Sequence, residues 1–485
     1  MLLRNLLDNI YPFEVLPPYD AWDIQLICSD SRQVKKNSLF VALKGSKQNG
    51  LDFVKDAAAR GARTFVIDET VNVDFINGDC CVLKVADPAG FLRKLAKNFY
   101  GNTSEKIRPI AVTGTNGKTT VAYLIESILQ KNNKSCGVIG TVNYRLGSLI
   151  RPSLNTTPGL LENQQLLIEM INEGLDYCVM EVSSHALDQK RVDLIDFKIG
   201  IFTNLTSDHL DYHGTKENYF LAKAELFINL SSGAVAVINI DDVYGRKLIS
   251  KTQAKVLTYG IENNANVMAK EIEMGISGTK FKLCIDKDAV VVRTKLIGIY
   301  NVYNILAASA CAFSEGVNLE KIKAALETFL SAPGRLERID CQQDFSIFID
   351  YAHTQDALEN VLRAIRQTSD AKIILVFGCG GDRDKTKRPL MGRVANQWAD
   401  HCIVTSDNPR SEDPLSIIDE ILEGFDKENF EVVVQRDEAI KKALIIAQKG
   451  DIVLLAGKGH ETYQIFKDRT IKFDERKIIR EFLRC

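Results

Sequence analysis

No stretch of the 485-residue chain approaches the roughly eighteen apolar residues that a membrane-crossing helix needs, which excludes a spanning segment. A charge excess of either sign is also missing. The 61 Lys and Arg nearly cancel the 63 Asp and Glu, so nothing favours nucleic acid or an anionic membrane as partner. There is no C-x-x-C pair. The eleven cysteines are scattered and odd in number, a pattern that fits reduced thiols, most of them filling cores. Arg4 and Asp8 interrupt the N-terminal apolar stretch and make it a poor signal peptide, so a cytoplasmic setting is expected. Repeats of solenoid period, low-complexity tracts and the N-K-x-D run of guanine-binding switches are absent too. What the chain does have is enough length for about three domains.

Its organising stretch is Val112-Thr-Gly-Thr-Asn-Gly-Lys-Thr-Thr120. Ile110 to Val112 read as a buried strand. Val121, Leu124, Ile125, Ile128 and Leu129 recur at the spacing of one helix face, so the turn sits at a helix N-terminus. There the unpaired N–H groups and the dipole attract phosphate. Gly114 and Gly117 allow close backbone approach, Lys118 reaches the outer phosphates, and Thr119 or Thr120 offers a hydroxyl to Mg²⁺. Val112 stands where the strict G-x-x-x-x-G-K-[ST] pattern has glycine.

Before this turn, residues 1–100 read as a small α/β unit with Ser29-Asp-Ser-Arg32 between two of its strands; on the residues alone that tetrapeptide is an ordinary polar turn. The polar segment Gly101–Pro109 reads as a linker. After it, strands and helices alternate, which predicts mostly parallel sheets covered on both faces. A second boundary falls at Ser331-Ala-Pro-Gly-Arg335, giving domains of 1–100, 101–332 and 333–485, the last another doubly wound unit.

Several strands end in chemistry. Glu181 closes the run Tyr177–Glu181, where an acid beside a P-loop serves a metal or orients a nucleophile. His185, His209, His213, His353 and His460 occupy strand ends or loops. Lys223 lies on the flank of a helix's apolar face. On the residues alone it is a lysine that snorkels to the surface; held in the core instead, it would lose its charge and become able to react with CO₂.

Gly114-Thr-Asn-Gly-Lys-Thr119, Met180-Glu-Val-Ser-Ser-His185, Thr203–His209, Asn301-Val-Tyr-Asn304, Pro333-Gly-Arg-Leu-Glu337 and Asp350-Tyr-Ala-His353 together resemble the Mur ligases. These are ATP-dependent amide-forming enzymes of peptidoglycan synthesis. Asn155-Thr-Thr-Pro158, Asp208–Thr215 and Asp407-Asn-Pro-Arg410 are similar to the branch that adds the third residue of the stem peptide. The resemblance spans almost the whole chain, with Gln355 and Asn49 as small departures from the family pattern.

The resemblance implies an α/β protein of three domains: an N-terminal domain for the UDP end of the substrate, a central P-loop ATPase and a C-terminal Rossmann-like domain for the incoming amino acid. It implies ATP contacts from Gly114, Thr115, Asn116, Gly117, Lys118, Thr119, Thr120, Asn301 and Arg335, with Asp350–His353 closing over the nucleotide. Ser31 would meet the nucleotide-sugar, and Thr156, Thr157, Ser183, Gln189 and Arg191 the muramoyl dipeptide. Thr119 and Glu181 would ligate one Mg²⁺; Glu181, His209 and Lys223, carbamylated by CO₂, would serve a second. Lys118, Glu181, His209 and Lys223 are thus the catalytic set.

The implied activity joins meso-diaminopimelate to UDP-N-acetylmuramoyl-L-alanyl-D-glutamate through an acyl phosphate, in a cytoplasmic monomer. Arg410 would pair with the second carboxylate of the amino acid, which lysine lacks. Asp407, Asn408 and Pro409 share its loop, Arg388 would bind a carboxylate, and Gly457 and Glu461 the amino group. Two rival readings remain: a lysine-adding or folylpolyglutamate-type ligase, and a P-loop ATPase switch that joins nothing.

Overall fold

The structure is a computed structural model that describes the whole chain except residues 12, 17–21, 46–47, 73–79 and 207. Ser207, inside the Thr203–His209 motif, is therefore outside the described residues. Three principal sheets account for the three expected units. The first has five strands in the order Glu14–Leu16, Cys81–Val85, Thr64–Asp68, Ser38–Val41 and Leu26–Cys28, all parallel but the first.

The central sheet has eleven strands, and the strand Arg108–Thr113 that feeds the glycine-rich turn lies in its middle. Tyr177–Glu181 and Ile199–Phe202 flank it in parallel, with Glu181 beside Val112 and Phe202 beside Thr113. That register brings three strand ends to one edge of the sheet. Alternation along the strand explains its unbroken apolar run: Ile110 and Val112 pack into the core beneath the helices Lys118–Lys131 and Ile299–Ser314, while Ala111 points into the opposite core. A Val at position 112 is a core residue, fully buried, and leaves the phosphate turn itself unaltered.

The flanks of this sheet are antiparallel rather than parallel. One is the hairpin Asn143–Leu146 and Leu149–Pro152; the other runs through Val267–Gly275, Gly278–Ile285 and Asp288–Thr294. The third sheet orders its strands Glu337–Ile339, Ser346–Asp350, Ile452–Ala456, Ile373–Phe377, His401–Val404 and Phe430–Val432, again parallel except at one edge. Helices cover both of its faces.

No helix among the described residues is long and apolar enough to cross a membrane. The thiol expectation holds for core residues such as Cys178, Cys311 and Cys402, which are buried. It is corrected at one pair: Cys341 and Cys485 are joined in a disulfide that ties the chain's last residue to the first turn of the C-terminal sheet.

Candidate active site

The glycine-rich turn is shaped by what surrounds it. Gly114 has φ +144° and a Cβ there would sit 1.9 Å from Thr203 Oγ1; Gly117 has φ +87° and would strike Asn304 Oδ1 at 2.3 Å. Neither position admits a side chain. Asn304 therefore touches the turn directly. Asn301, predicted for this role, stands one helical turn behind and supports Asn304, accepting from its Nδ2 at 3.1 Å. Both lie on one helix face, and the sequence alone does not distinguish them.

Lys118 folds back over the turn and donates to Gly114 O at 2.9 Å and Thr115 O at 2.8 Å. Lys223 donates to the same Gly114 carbonyl at 3.0 Å, with its ammonium 4.4 Å from the centre of the Tyr219 ring. It does not snorkel: only 1% of it is exposed. Burial, reinforced by the neighbouring Lys118 charge, holds its pKa well below the usual lysine range. Burial lowers that of Lys118 in the same direction.

Glu181 is buried at the end of its strand. Its Oε2 accepts from Thr119 Oγ1 at 2.9 Å and Thr141 Oγ1 at 3.0 Å, and its Oε1 from the Thr141 N–H at 2.9 Å. The carboxylate needs this room, since a Cβ on Gly140 would lie 2.2 Å from Oε1. Thr141 carries the network onward to Thr156 at 3.0 Å. Thr157 donates to Glu181 O at 2.8 Å and receives the Ser183 N–H at 3.0 Å. Arg191 donates to Thr157 O at 3.0 Å and reaches Gln189, which donates to Tyr212 at 3.2 Å. The five residues predicted for the dipeptide thus form one connected wall beside Glu181.

His209, at φ +54°, packs its ring edge-on to His185 at 4.8 Å, and His185 lies 5.4 Å from His213. Burial lowers the pKa of all three. Ser31 lies apart, in a short turn Ser31–Gln33 of the N-terminal domain, where Asp30 caps the turn.

The C-terminal domain meets this edge. Arg335 Nη2 donates to Thr119 Oγ1 at 3.1 Å, and its guanidinium lies 4.8 Å over the Tyr351 ring. Asp350 accepts the Leu336 and Ala352 N–H groups at 2.6 and 2.8 Å, fixing the turn that presents Arg335. Asp356, unnoticed in the sequence, accepts from Asn116 Nδ2 at 3.1 Å and Thr206 Oγ1 at 3.2 Å. It joins the phosphate turn to the start of the helix Gln355–Thr368.

Beyond the strand His401–Val404, Asp407-Asn-Pro-Arg410 forms a second cluster. Arg410 adopts φ +53°, a conformation that costs a non-glycine residue about 1–3 kcal/mol. Its N–H is held by Ile465 O at 3.1 Å, and its Nη1 donates to Gly381 O at 2.8 Å. Asn408 donates to Glu461 at 2.9 Å, and Gly457 has φ +114°, a conformation that side chains strain, with the space for a Cβ already 2.8 Å from Asp407 Oδ2. Lys458, wholly buried, donates to Asn408 Oδ1 at 3.0 Å and to Tyr463 O at 2.8 Å. It was not singled out in the sequence, where a lysine between two glycines looks like a solvated loop residue.

Arg388 corrects its expectation. Its guanidinium is fully buried and already engaged by Glu412 at 2.9 Å and Glu420 at 2.7 Å, so it has no face open to an amino-acid carboxylate. The exposed arginine of this segment is Arg383. A Cβ on Gly380 would lie 2.9 Å from Arg410 Nη1 and 4.0 Å from Arg383 Cγ, which puts both arginines beside that glycine.

A P-loop with a buried acid at its edge, roofed by a separate Rossmann-like domain, defines an ATP-dependent ligase. Family models agree across the chain: Mur ligase family, catalytic domain over residues 23–100; Mur ligase middle domain over 112–312; and Mur ligase, glutamate ligase domain over 334–459. The chain belongs to the Mur ligase family. It is 46% identical over 463 residues, 95% of either chain, to the UDP-N-acetylmuramoyl-L-alanyl-D-glutamate--2,6-diaminopimelate ligase of Caldanaerobacter subterraneus. To the Bacillus cereus protein of that name it is 43% identical, over 99% of this chain and 98% of the other. A solved structure of a ligase so named superposes with a TM-score of 0.67 at 34% identity, covering 95% of both chains. An Acinetobacter baumannii MurF structure, 21% identical with a TM-score of 0.66 over 95% of this chain and 94% of that one, shares the fold.

Proposed function

We propose that the protein joins meso-diaminopimelate to UDP-N-acetylmuramoyl-L-alanyl-D-glutamate at the expense of ATP, within the cytoplasm. The terminal carboxylate of the D-glutamyl residue attacks the γ-phosphate, giving an acyl phosphate and ADP; the amine of the incoming amino acid then displaces phosphate and leaves the amide. The observation that carries this reading is the unbroken hydrogen-bonded chain from Thr119 through Glu181 and Thr141 to Thr156. It links the turn assigned to phosphate with the wall assigned to the dipeptide, and so supports a transfer between the two.

Two anions must meet there, so cations are required. Lys118 and Arg335 bracket the outer phosphates and Arg191 faces the acceptor carboxylate. The donor set fits Mg²⁺: the Thr119 hydroxyl and the Glu181 carboxylate, 2.9 Å apart, are hard oxygens. When bound, the ion screens the triphosphate's charge. Carbamylated Lys223 would add the missing anion near His209 for a second ion. Ser31 takes the nucleotide-sugar end, and the Asp407–Arg410 loop, Gly457, Glu461 and Arg383 take the amino acid.

Phosphate release with ATP, the UDP-muramoyl dipeptide and either meso-diaminopimelate or L-lysine tests the reaction. The diaminopimelate reaction is expected to exceed the lysine reaction by about 10³-fold or more in kcat/KM. Equal use, a lysine preference or amino-acid-independent hydrolysis overturns the proposal.

The Lys223 reading has its own test. Carbamate formation consumes a neutral amine and CO₂ and releases a proton. Because burial depresses the Lys223 pKa, more of the amine is neutral at a given pH than in an ordinary lysine, and acid favours reversal. Activity in CO₂-stripped buffer should therefore fall several-fold, more steeply toward the acid end, and return with bicarbonate; ¹³C-bicarbonate should give a carbamate carbonyl resonance that Lys223→Arg lacks. No resonance and no bicarbonate effect at the acid end would dismiss the carbamate.

A further inference from the structure

The buried guanidinium of Arg388 belongs to no step of the reaction above, yet it holds together the two loops on which amino-acid choice depends. Glu412 is the link. Its Oε2 and Oε1 accept from Arg388 Nη1 and Nη2, both at 2.9 Å, and Oε1 also accepts the Asp382 N–H at 2.6 Å. Arg388 Nη2 further approaches Gly380 O at 3.4 Å, while Glu420 and Lys385 complete the ion network. One carboxylate thereby pins the Gly380–Arg383 loop to the segment that follows Arg410.

The two loops also meet directly. Gly381 N–H donates to Asn408 O at 2.9 Å, Arg410 Nη1 donates to Gly381 O at 2.8 Å, and Ser411 Oγ donates to Asp382 Oδ1 at 2.5 Å. Gly381 packs on Pro409, whose carbonyl would lie 1.9 Å from a Cβ at that glycine. Replacing the fork that holds both Glu412 oxygens would leave Glu412 with the exposed Lys385 as its remaining firm cation, and the loops would lose their common bidentate anchor.

We propose that Arg388 is a positioning residue: through Glu412 it sets the spacing of Arg383 and Arg410, and so makes the site accept an amino acid with a second carboxylate. This rests on the reaction proposed above. A bidentate clamp on a planar carboxylate tolerates little displacement, so a loosened loop weakens the amino acid's hold while the nucleotide and dipeptide sites are untouched.

The full-length enzyme carrying Arg388→Lys or Glu412→Gln tests this by steady-state phosphate release. The expected result is a KM for meso-diaminopimelate raised about tenfold, kcat within about threefold, unchanged KM for ATP and for the UDP-dipeptide, and a smaller preference over L-lysine. Glu412→Gln keeps an acceptor for the Asp382 N–H and so serves where Arg388→Lys folds poorly. An unchanged KM for the amino acid in a folded variant, or a rise shared equally by all three substrates, overturns the proposal. Wild-type enzyme that prefers lysine refutes the reaction instead, and the variant-to-wild-type KM ratio for lysine then decides Arg388 separately.

Discussion

Lys118→Ala is expected to lower kcat by about 10³-fold or more while leaving the fold intact. Among the described residues the side chain bonds to the carbonyls of Gly114 and Thr115, contacts worth about 1.5–3 kcal/mol each for a charged donor; the substitution also relieves the burial of the ammonium, which offsets much of that loss, so the turn survives. Its charge is another matter. Arg335 approaches the site from the C-terminal domain, whereas Lys118 is tethered inside the glycine-rich turn itself. On the reaction proposed above, its loss weakens the attraction that lets a carboxylate approach a triphosphate. The substitution also removes a repelling neighbour from Lys223, whose depressed pKa should rise toward, but not to, the ordinary lysine value, because burial remains its larger cause. Stability should therefore change by no more than about 1–2 kcal/mol. Single-turnover phosphate release together with a thermal melt checks both halves. A variant that keeps a tenth of its kcat would show that Arg335 alone suffices.

The phosphate turn was legible because its signals are local: an apolar run, two glycines and a helical period occur within about twenty residues. The position of Glu181 at the end of its own strand was legible for the same reason; that this strand lies beside the turn was not. What escaped depends on partners far along the chain. The flank position of Lys223 in its helix allows either a snorkelling or a buried side chain; the choice is made by Tyr219 and by the Gly114 carbonyl, more than a hundred residues earlier. Arg383 and Arg388 stand five residues apart in a charged stretch with no period to separate them. Only the inward turn of the helix Lys387–Trp398, facing Glu412 and Glu420, buries one and leaves the other exposed. The same holds for the central sheet: the strand Arg108–Thr113 pairs with strands that follow it by more than sixty residues, an order that alternation of strands and helices does not reveal.

Arg410→Ala should cost about 10²- to 10³-fold in kcat/KM for meso-diaminopimelate and almost nothing for L-lysine. Only Nη1 of this guanidinium has protein partners among the described residues, the carbonyls of Gly381 and Asn408. The rest of the fork is free for a planar anion. The chain holds the arginine in a left-handed conformation and anchors its N–H on Ile465, an arrangement whose strain makes sense if direction matters at this position. Lysine ends in an ammonium and gains nothing from a guanidinium opposite; removing the arginine takes away a repulsion. The two substrates must therefore respond unequally, a large loss for one against little change for the other, and that asymmetry separates recognition from support. A loop that had merely lost its anchor would bind both amino acids less well. Competition between the two in one reaction, with products resolved by mass, reads the ratio directly, and an equal loss for both would leave Arg410 as a strut for the loop rather than its reader.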